Sequence, residues 1–306
     1  MAQQPEDRSA GFRASLKDVQ AQFLVVVREM RPKLHRFCAR MCGSVLDGED
    51  LVQETLAQAF YRLPSLQDPS RLEPWLFRIA HRKCVDFLRS EKRQREDTVS
   101  YDDREPELPA GEEREGEPIG DTLAPLVGEL PPKERAAVLL KDLLQYSLTE
   151  VAEVIDSTVG GVKAALHRGR AKLRALQNAP AQTELDARKQ KLLLAYVDCF
   201  NRRDWSALHE LIAIDARLEV VEATEGKVRD APYFANYAAL PWEWKLSAAW
   251  VDGEPLVVHW KKVGQDWRPH AAIRLWWQDD KVVRIKDYVH VDYLMREARI
   301  ADVQGE

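Results

Sequence analysis

The sequence predicts two all-α domains followed by an α+β domain. Three observations carry this reading. Apolar residues recur at helical spacing through about residue 175, an acidic, proline-containing break divides that helical part, and the remainder turns strand-like. Seven of the nine tryptophans fall between residues 242 and 277. At 306 residues the chain is long enough for two or three domains of ~100–200 residues each. With 45% apolar and 31% charged residues it can bury real cores and stay in water. A mean hydropathy of -0.43, with no apolar run of ~18 residues, excludes a transmembrane helix. The first ten residues include Glu6, Asp7 and Arg8 and lack an apolar stretch, so no secretory signal is expected. Four scattered cysteines make no disulfide framework, and the expected setting is cytoplasmic.

The net charge of -5 is unevenly distributed. Residues 1–96 carry 17 Lys and Arg against 13 Asp and Glu, whereas 97–121 carry 2 against 10. Residues 122–180 return to 8 against 6. Two mildly basic blocks thus flank an acidic one that holds Pro106, Pro109 and Pro118. Such a composition predicts a disordered linker over 97–122.

The first block, 20–96, is helical. Apolar residues follow helical spacing from Phe23 to Cys42, with Pro32 interrupting. Asp47 to Asp50 is expected as a turn and cap. Leu51, Val52, Thr55, Leu56, Ala59, Phe60 and Leu63 then share one helix face, with Asp50, Gln53, Glu54 and Gln58 opposite. A turn-rich stretch from Pro64 leads to a helix opening at Pro74, where a missing N–H costs nothing. Leu76, Ala80, Cys84 and Phe87 form its apolar stripe. At ~100° per residue, Arg78, Arg82, Arg89 and Arg93 gather on the other side. Surface helices usually mix signs, so four arginines beside the single acid Asp86 point to phosphate or base contact.

Asp50-Leu-Val-Gln-Glu-Thr55, then Trp75-Leu-Phe-Arg-Ile-Ala80 and Asp86-Phe-Leu-Arg89, resemble region 2 of extracytoplasmic function (ECF) sigma factors of the sigma-70 family. The resemblance implies that Asp50, Gln53, Glu54 and Gln58 bind the β′ clamp helices of core RNA polymerase. It further implies that the following loop and helix capture and melt the promoter −10 element. Arg78, Arg82, Lys83, Arg89 and Arg93 would then face DNA. An Asn is common in the family where Arg82 stands here, so the base preference at −10 does not carry over.

The second block, 123–178, predicts a helix-turn-helix. Leu130-Pro-Pro-Lys-Glu-Arg135 opens a helix. Ser147-Leu-Thr-Glu150 matches a capping box ahead of a short helix to Ile155. Asp156-Ser157 is a tight turn, and Thr158 can cap a last helix. On that helix Val159, Val162, Leu166, Gly169 and Leu173 share one side. A second, basic helix after a short turn is the arrangement that enters the major groove. The string from Leu130-Pro-Pro through Ser147-Leu-Thr-Glu-Val-Ala152 to Leu166-His-Arg168 resembles sigma region 4. That resemblance implies contact with the β flap of polymerase and with the −35 element through Lys163, His167, Arg168 and Arg170. Gly161, Ala164 and Ala165 stand where relatives carry Thr, Ser and Arg, so base reading is expected to be weak and phosphate contact dominant.

The third block, 183–300, starts with a helix through Leu192 to Phe200 and a short one over 205–212. Strands follow near 218–221, 250–260 around the Asp252-Gly253 turn, and 271–290 around Asp279-Asp280. Helices followed by a curved antiparallel sheet, together with Leu193-Ala-Tyr-Val-Asp-Cys-Phe-Asn201 and Asp204-Trp-Ser-Ala-Leu208, resemble the SnoaL-like/NTF2-like cone. In several ECF groups such an extension is regulatory. Within it Trp260, Trp276 and Asp287 are the candidate ligand pocket, Asp287 because it sits at period 2 on an apolar strand face. No acid–base pair, phosphate loop or metal spacing accompanies them. His35, Cys38 and Cys42 lack a second ligand pair. No enzyme activity, cofactor or metal is therefore expected.

The expected function is that of a sigma factor whose partners are core polymerase and promoter DNA, with an anti-sigma factor or small ligand as a possible further partner and no membrane. Two alternatives are a helix-turn-helix regulator acting without polymerase, and a ligand-binding or isomerase-like cone fused to a DNA-binding module.

Overall fold

The computed structural model describes residues 5–66, 68–95, 129–176 and 187–302. The expected linker over 97–122 lies outside them. The described residues form two compact units, one from residues 5–43, 47–66, 68–95 and 129–176, the other from 44–46 and 187–302.

In the helical unit α1 (Pro5–Cys42) runs on through Pro32. Proline gives up one backbone hydrogen bond there. Phe23 and Val27 before it, and Leu34, Phe37, Cys38 and Met41 after it, are all buried in the same core. Tertiary packing overrides the local break. Helix α2 (Val45–Arg62) begins before Asp47, so Asp47 to Asp50 is helical and not the expected turn. An acid in a first turn suits the positive end of the helix dipole. The two helices cross closely at Gly48, where a Cβ would stand 2.6 Å from Ala39 Cα.

Two single 3₁₀ turns follow, Leu63–Ser65 and Pro69–Arg71. Asp68 caps the second by accepting from the Ser70 amide at 2.9 Å and its hydroxyl at 2.7 Å. Helix α3 (Leu72–Arg95) starts two residues ahead of Pro74. Then α4 (Pro132–Val138) continues into a π turn over Leu139–Leu143. Helix α5 (Leu148–Val154) opens with the capping box, Ser147 and Glu150 each bonding the other's backbone. Asp156 turns the chain with φ 56, and the Thr158 hydroxyl accepts from the Gly161 amide at 3.0 Å at the head of α6 (Val159–Leu176). The two helical blocks share one apolar cluster, from Phe23 through Leu76 and Phe77 to Leu139, Val162 and Leu173.

The second unit begins with α7 (Ala187–Asn201) and α8 (Trp205–Leu211). Its seven strands are β1 (Ile212–Val220), β2 (Thr224–Lys227), β3 (Trp244–Val251), β4 (Glu254–Val263), β5 (Asp266–Gln278), β6 (Lys281–Asp287) and β7 (Ile300–Asp302). They lie in the order β2-β1-β6-β5-β4-β3-β7. The sheet is mixed and not purely antiparallel, because β1 and β6 run parallel. A short helix, α9 (Tyr233–Ala238), joins the core beside Phe200 and Trp244. The helices-then-sheet order is that of the expected α+β cone.

Candidate nucleic-acid interface

The apolar side of α3 is fixed by Leu76, Phe77, Ala80 and Cys84, each 7% exposed or less. Helical geometry then turns Arg78, Arg82, Arg89 and Arg93 outward, and all four are exposed. At the N-terminal end of α3 the 3₁₀ turns and the helix enclose a groove of ≈ 360 Å³ walled by Leu66, Arg71, Trp75 and Arg78, with Glu153 of α5 on its rim. It offers an aromatic surface and two guanidinium groups, a combination that suits a stacked base and its phosphate. Just below the stripe His81 is held neutral. Burial, aided by the charge of Arg82, pushes its pKa down to about 4.

Acids of the helix-turn-helix meet this face. Arg71 pairs with Glu153, and Arg82 Nη2 lies 3.3 Å from Asp156 Oδ2. The Tyr146 hydroxyl donates to Glu73 at 2.6 Å, and the Tyr146 ring packs 5.3 Å from Phe77. Burial works to raise the Glu73 pKa, yet Lys33 and Tyr146 hold that carboxyl below its ordinary value. Arg135, buried, donates to the carbonyls of Leu130 and Met41, which ties α4 to α1.

On α2, Glu54 is exposed, while Asp50, Gln53 and Gln58 are half-buried. Glu54 Oε2 accepts from Lys83 Nζ at 2.9 Å, so a residue expected to touch polymerase pairs with one expected to touch DNA. Phe60 was expected in the core but is 37% exposed, and Tyr61 beside it is 83% exposed. Val25 of α1 is also exposed, at 63%. These apolar side chains were not selected as site residues. Two consecutive aromatics at a helix end, where only one can face inward, were the available signal.

The α6 expectations divide. Lys163 and His167 are exposed. Arg170 is not available to DNA: it is 6% exposed and its guanidinium bonds both Asp142 oxygens. Arg168 is half-buried and engaged within the fold, its Nε donating at 2.8 Å to Glu134, which also holds Lys172. Ala165 is fully buried, so it lies on the core side and not toward bases. Val159 is 39% exposed, not part of the apolar side.

In the second unit the three pocket candidates separate. Ile273, opposite Asp287 in the register, shares its inward face, whereas Trp260 and Trp276 point to the other side of the sheet. Trp260 donates to Ser247 at 2.7 Å. Trp276 is flanked by Arg274 and Arg284 and lines a separate cleft with Trp277 and Lys189. Asp287 is fully buried, and its Oδ2 accepts from the hydroxyls of Tyr233 and Tyr237, each at 2.7 Å. Its Oδ1 accepts from the Val289 amide at 2.9 Å. Burial raises its pKa against those three hydrogen bonds. His259, also fully buried, lies 5.7 Å from the Tyr237 ring, and neither of its ring nitrogens has a hydrogen-bond partner among the described residues. Burial pushes its pKa down to about 3.

Residues 26–94 match the family described as Sigma-70 region 2, and residues 123–173 that described as Sigma-70, region 4. The chain is 32% identical over 218 residues to the ECF RNA polymerase sigma factor SigG of Mycobacterium tuberculosis, an alignment covering 62% of this chain and 59% of SigG. It therefore spans about three fifths of that relative's length. It is 29% identical over 173 residues to the ECF RNA polymerase sigma factor SigW of Bacillus subtilis, covering 52% of this chain and 90% of SigW. Among solved structures, the crystal structure of the M. tuberculosis ECF sigma factor SigJ aligns with 87% of this chain and 95% of its own, at 18% identity and a TM-score of 0.33.

Proposed function

We propose that this chain, which carries sigma-70 region 2 followed by region 4 and has ECF sigma factors among its relatives, itself works as an ECF-type sigma factor. It binds core RNA polymerase, recognises a promoter and opens the −10 element. The observation that supports this most is the exposed arginine stripe of α3 beside a groove that contains Trp75 and Arg78. A melting surface must bind one strand better than the duplex. Phosphate contact by Arg78, Arg82, Arg89 and Arg93 supplies strand-independent affinity, and stacking against Trp75 adds a term that only an unpaired base can gain.

Polymerase contact is assigned to α2. Asp50, Gln53, Glu54 and Gln58 offer a polar, negatively charged face, extended by the exposed rings of Phe60 and Tyr61. A polar rim around exposed aromatics is the usual anatomy of a protein interface. Lys163 and His167 of α6 anchor the helix-turn-helix on the phosphates near −35, and the α+β unit modulates initiation. This role requires no catalytic group in the chain. It places the protein on cytoplasmic polymerase.

Run-off transcription with purified core polymerase on the DNA upstream of the protein's own gene tests the reading. A discrete transcript that depends on the added chain supports it. Duplex binding without transcript or core retention would favour a polymerase-independent helix-turn-helix regulator.

A further inference from the structure

Glu150, Glu153 and Asp156 recur every third residue along α5 and its end, forming an acidic edge on the first helix of the helix-turn-helix. Such an edge repels phosphate and gives the motif nothing on a duplex. Two of its acids meet α3 and the turn before it, while Glu150 closes the capping box with Ser147. Glu153 pairs with Arg71 on the rim of the groove, and Asp156 pairs with Arg82 at 3.3 Å. Arg71 is raised above its ordinary pKa by the bond it donates to Glu153, with the charge of Glu150 adding to it.

These are groups a nucleic-acid strand would use. We propose that the acidic edge of α5 is an internal substitute for nucleic-acid phosphate, which covers the α3 groove in the free chain and gives way to single-stranded DNA. The proposal rests on the reading above that this groove takes the promoter strand. Both pairs are well exposed, with side-chain exposures of 50% and 41% for Arg71 and Glu153, and 56% and 78% for Arg82 and Asp156. Exposed pairs are weak, and a cover that must open has to be weak. The capping box keeps the edge on a formed helix, so the acids are presented together.

The test is binding of fluorescein-labelled single-stranded DNA of mixed sequence to the full chain, followed by anisotropy at fixed low salt. Glu153→Gln and Asp156→Asn each remove one covering charge. Asparagine tolerates the positive φ of Asp156, so the turn is kept. Glu129→Gln removes an equal charge from an exposed acid that does not line the groove. The expected result is tighter binding by roughly two- to fivefold for each covering variant, the range that one exposed pair allows, and less than about twofold for the control. Arg78→Ala should weaken binding. If wild type binds and Arg78→Ala weakens it, while Glu153→Gln and Asp156→Asn match Glu129→Gln, the cover is wrong and the groove reading stands. If neither wild type nor any variant binds, the groove reading fails and takes the cover with it.

Discussion

Arg170 and Asp142, 28 residues apart, form a doubly bonded ion pair inside the helical unit, at 3.0 Å for Nε–Oδ2 and 2.6 Å for Nη2–Oδ1. The pair locks α6 to the π turn after α4, and it separates the basic residues of α6 into those that hold the fold and those that face solvent.

Arg170→Ala should therefore cost stability and not only DNA binding. Removing one partner of a buried pair leaves an uncompensated charge, typically about 3–5 kcal/mol. Thermal unfolding should show a clear drop in Tm, and the double variant Arg170→Met with Asp142→Leu should recover most of it. Lys163→Ala should stay within ~0.5 kcal/mol of wild type. It should instead weaken duplex binding and reduce the salt slope by about 1. Equal Tm values for Arg170→Ala and Lys163→Ala would contradict this division.

Much of this was legible along the chain, and the failures have physical causes. The α3 stripe and the Ser147 capping box follow from local periodicity and spacing, which tertiary structure left intact. The role of Arg170 depends on a partner nearly thirty residues away, which helix phase alone does not reveal. Val159 was misplaced because it is the first residue of α6, and Ala165 because the family comparison outweighed helix phase, which sets it within the buried arc of Val162, Leu166 and Leu173. Trp260 and Trp276 obey simple alternation, which puts them on the sheet face away from Asp287; grouping them with it followed their size and not the phase of their strands. The two hydroxyls on Asp287 come from α9, a helix of six residues too short to announce itself by periodicity.

Acid should weaken the α+β unit through His259. Its pKa falls from 6.5 to about 3 on folding, because burial disfavours the charged ring. The neutral form is thus the folded form. Its contribution is complete above pH 6.5, the unfolded value, and is lost as pH falls from there toward about 3. His259→Phe should flatten part of that loss, His270, which is shifted the same way, accounting for more. Urea unfolding followed by tryptophan fluorescence reports mainly on this unit, since eight of the nine tryptophans lie after residue 200. An unchanged acid slope in the variant would refute the assignment.

Charge reversal at Asp50 and Glu54, as Asp50→Lys with Glu54→Lys, should weaken retention by core polymerase while leaving the helical unit folded. Glu54 loses only an exposed partner in Lys83, a change of at most ~1 kcal/mol. A pull-down against immobilised core enzyme, with far-ultraviolet circular dichroism as the folding check, decides the matter. Undiminished retention would move the polymerase contact elsewhere.

Deletion after Ala179 should change promoter-specific transcription several-fold in one direction. The α+β unit begins with α7 at Ala187, about ten residues after α6 ends at Leu176, and supplies none of the promoter or polymerase contacts assigned above. A truncated chain that transcribes like the full-length one would make the unit a passenger.

The central claim, that the α3 arginines open promoter DNA, is tested most directly by permanganate footprinting. Core polymerase with wild-type chain should render thymines around −10 reactive. The Arg78→Ala with Arg82→Ala variant should abolish that reactivity while retaining core binding. A bubble of unchanged extent and intensity with the double variant would contradict the account.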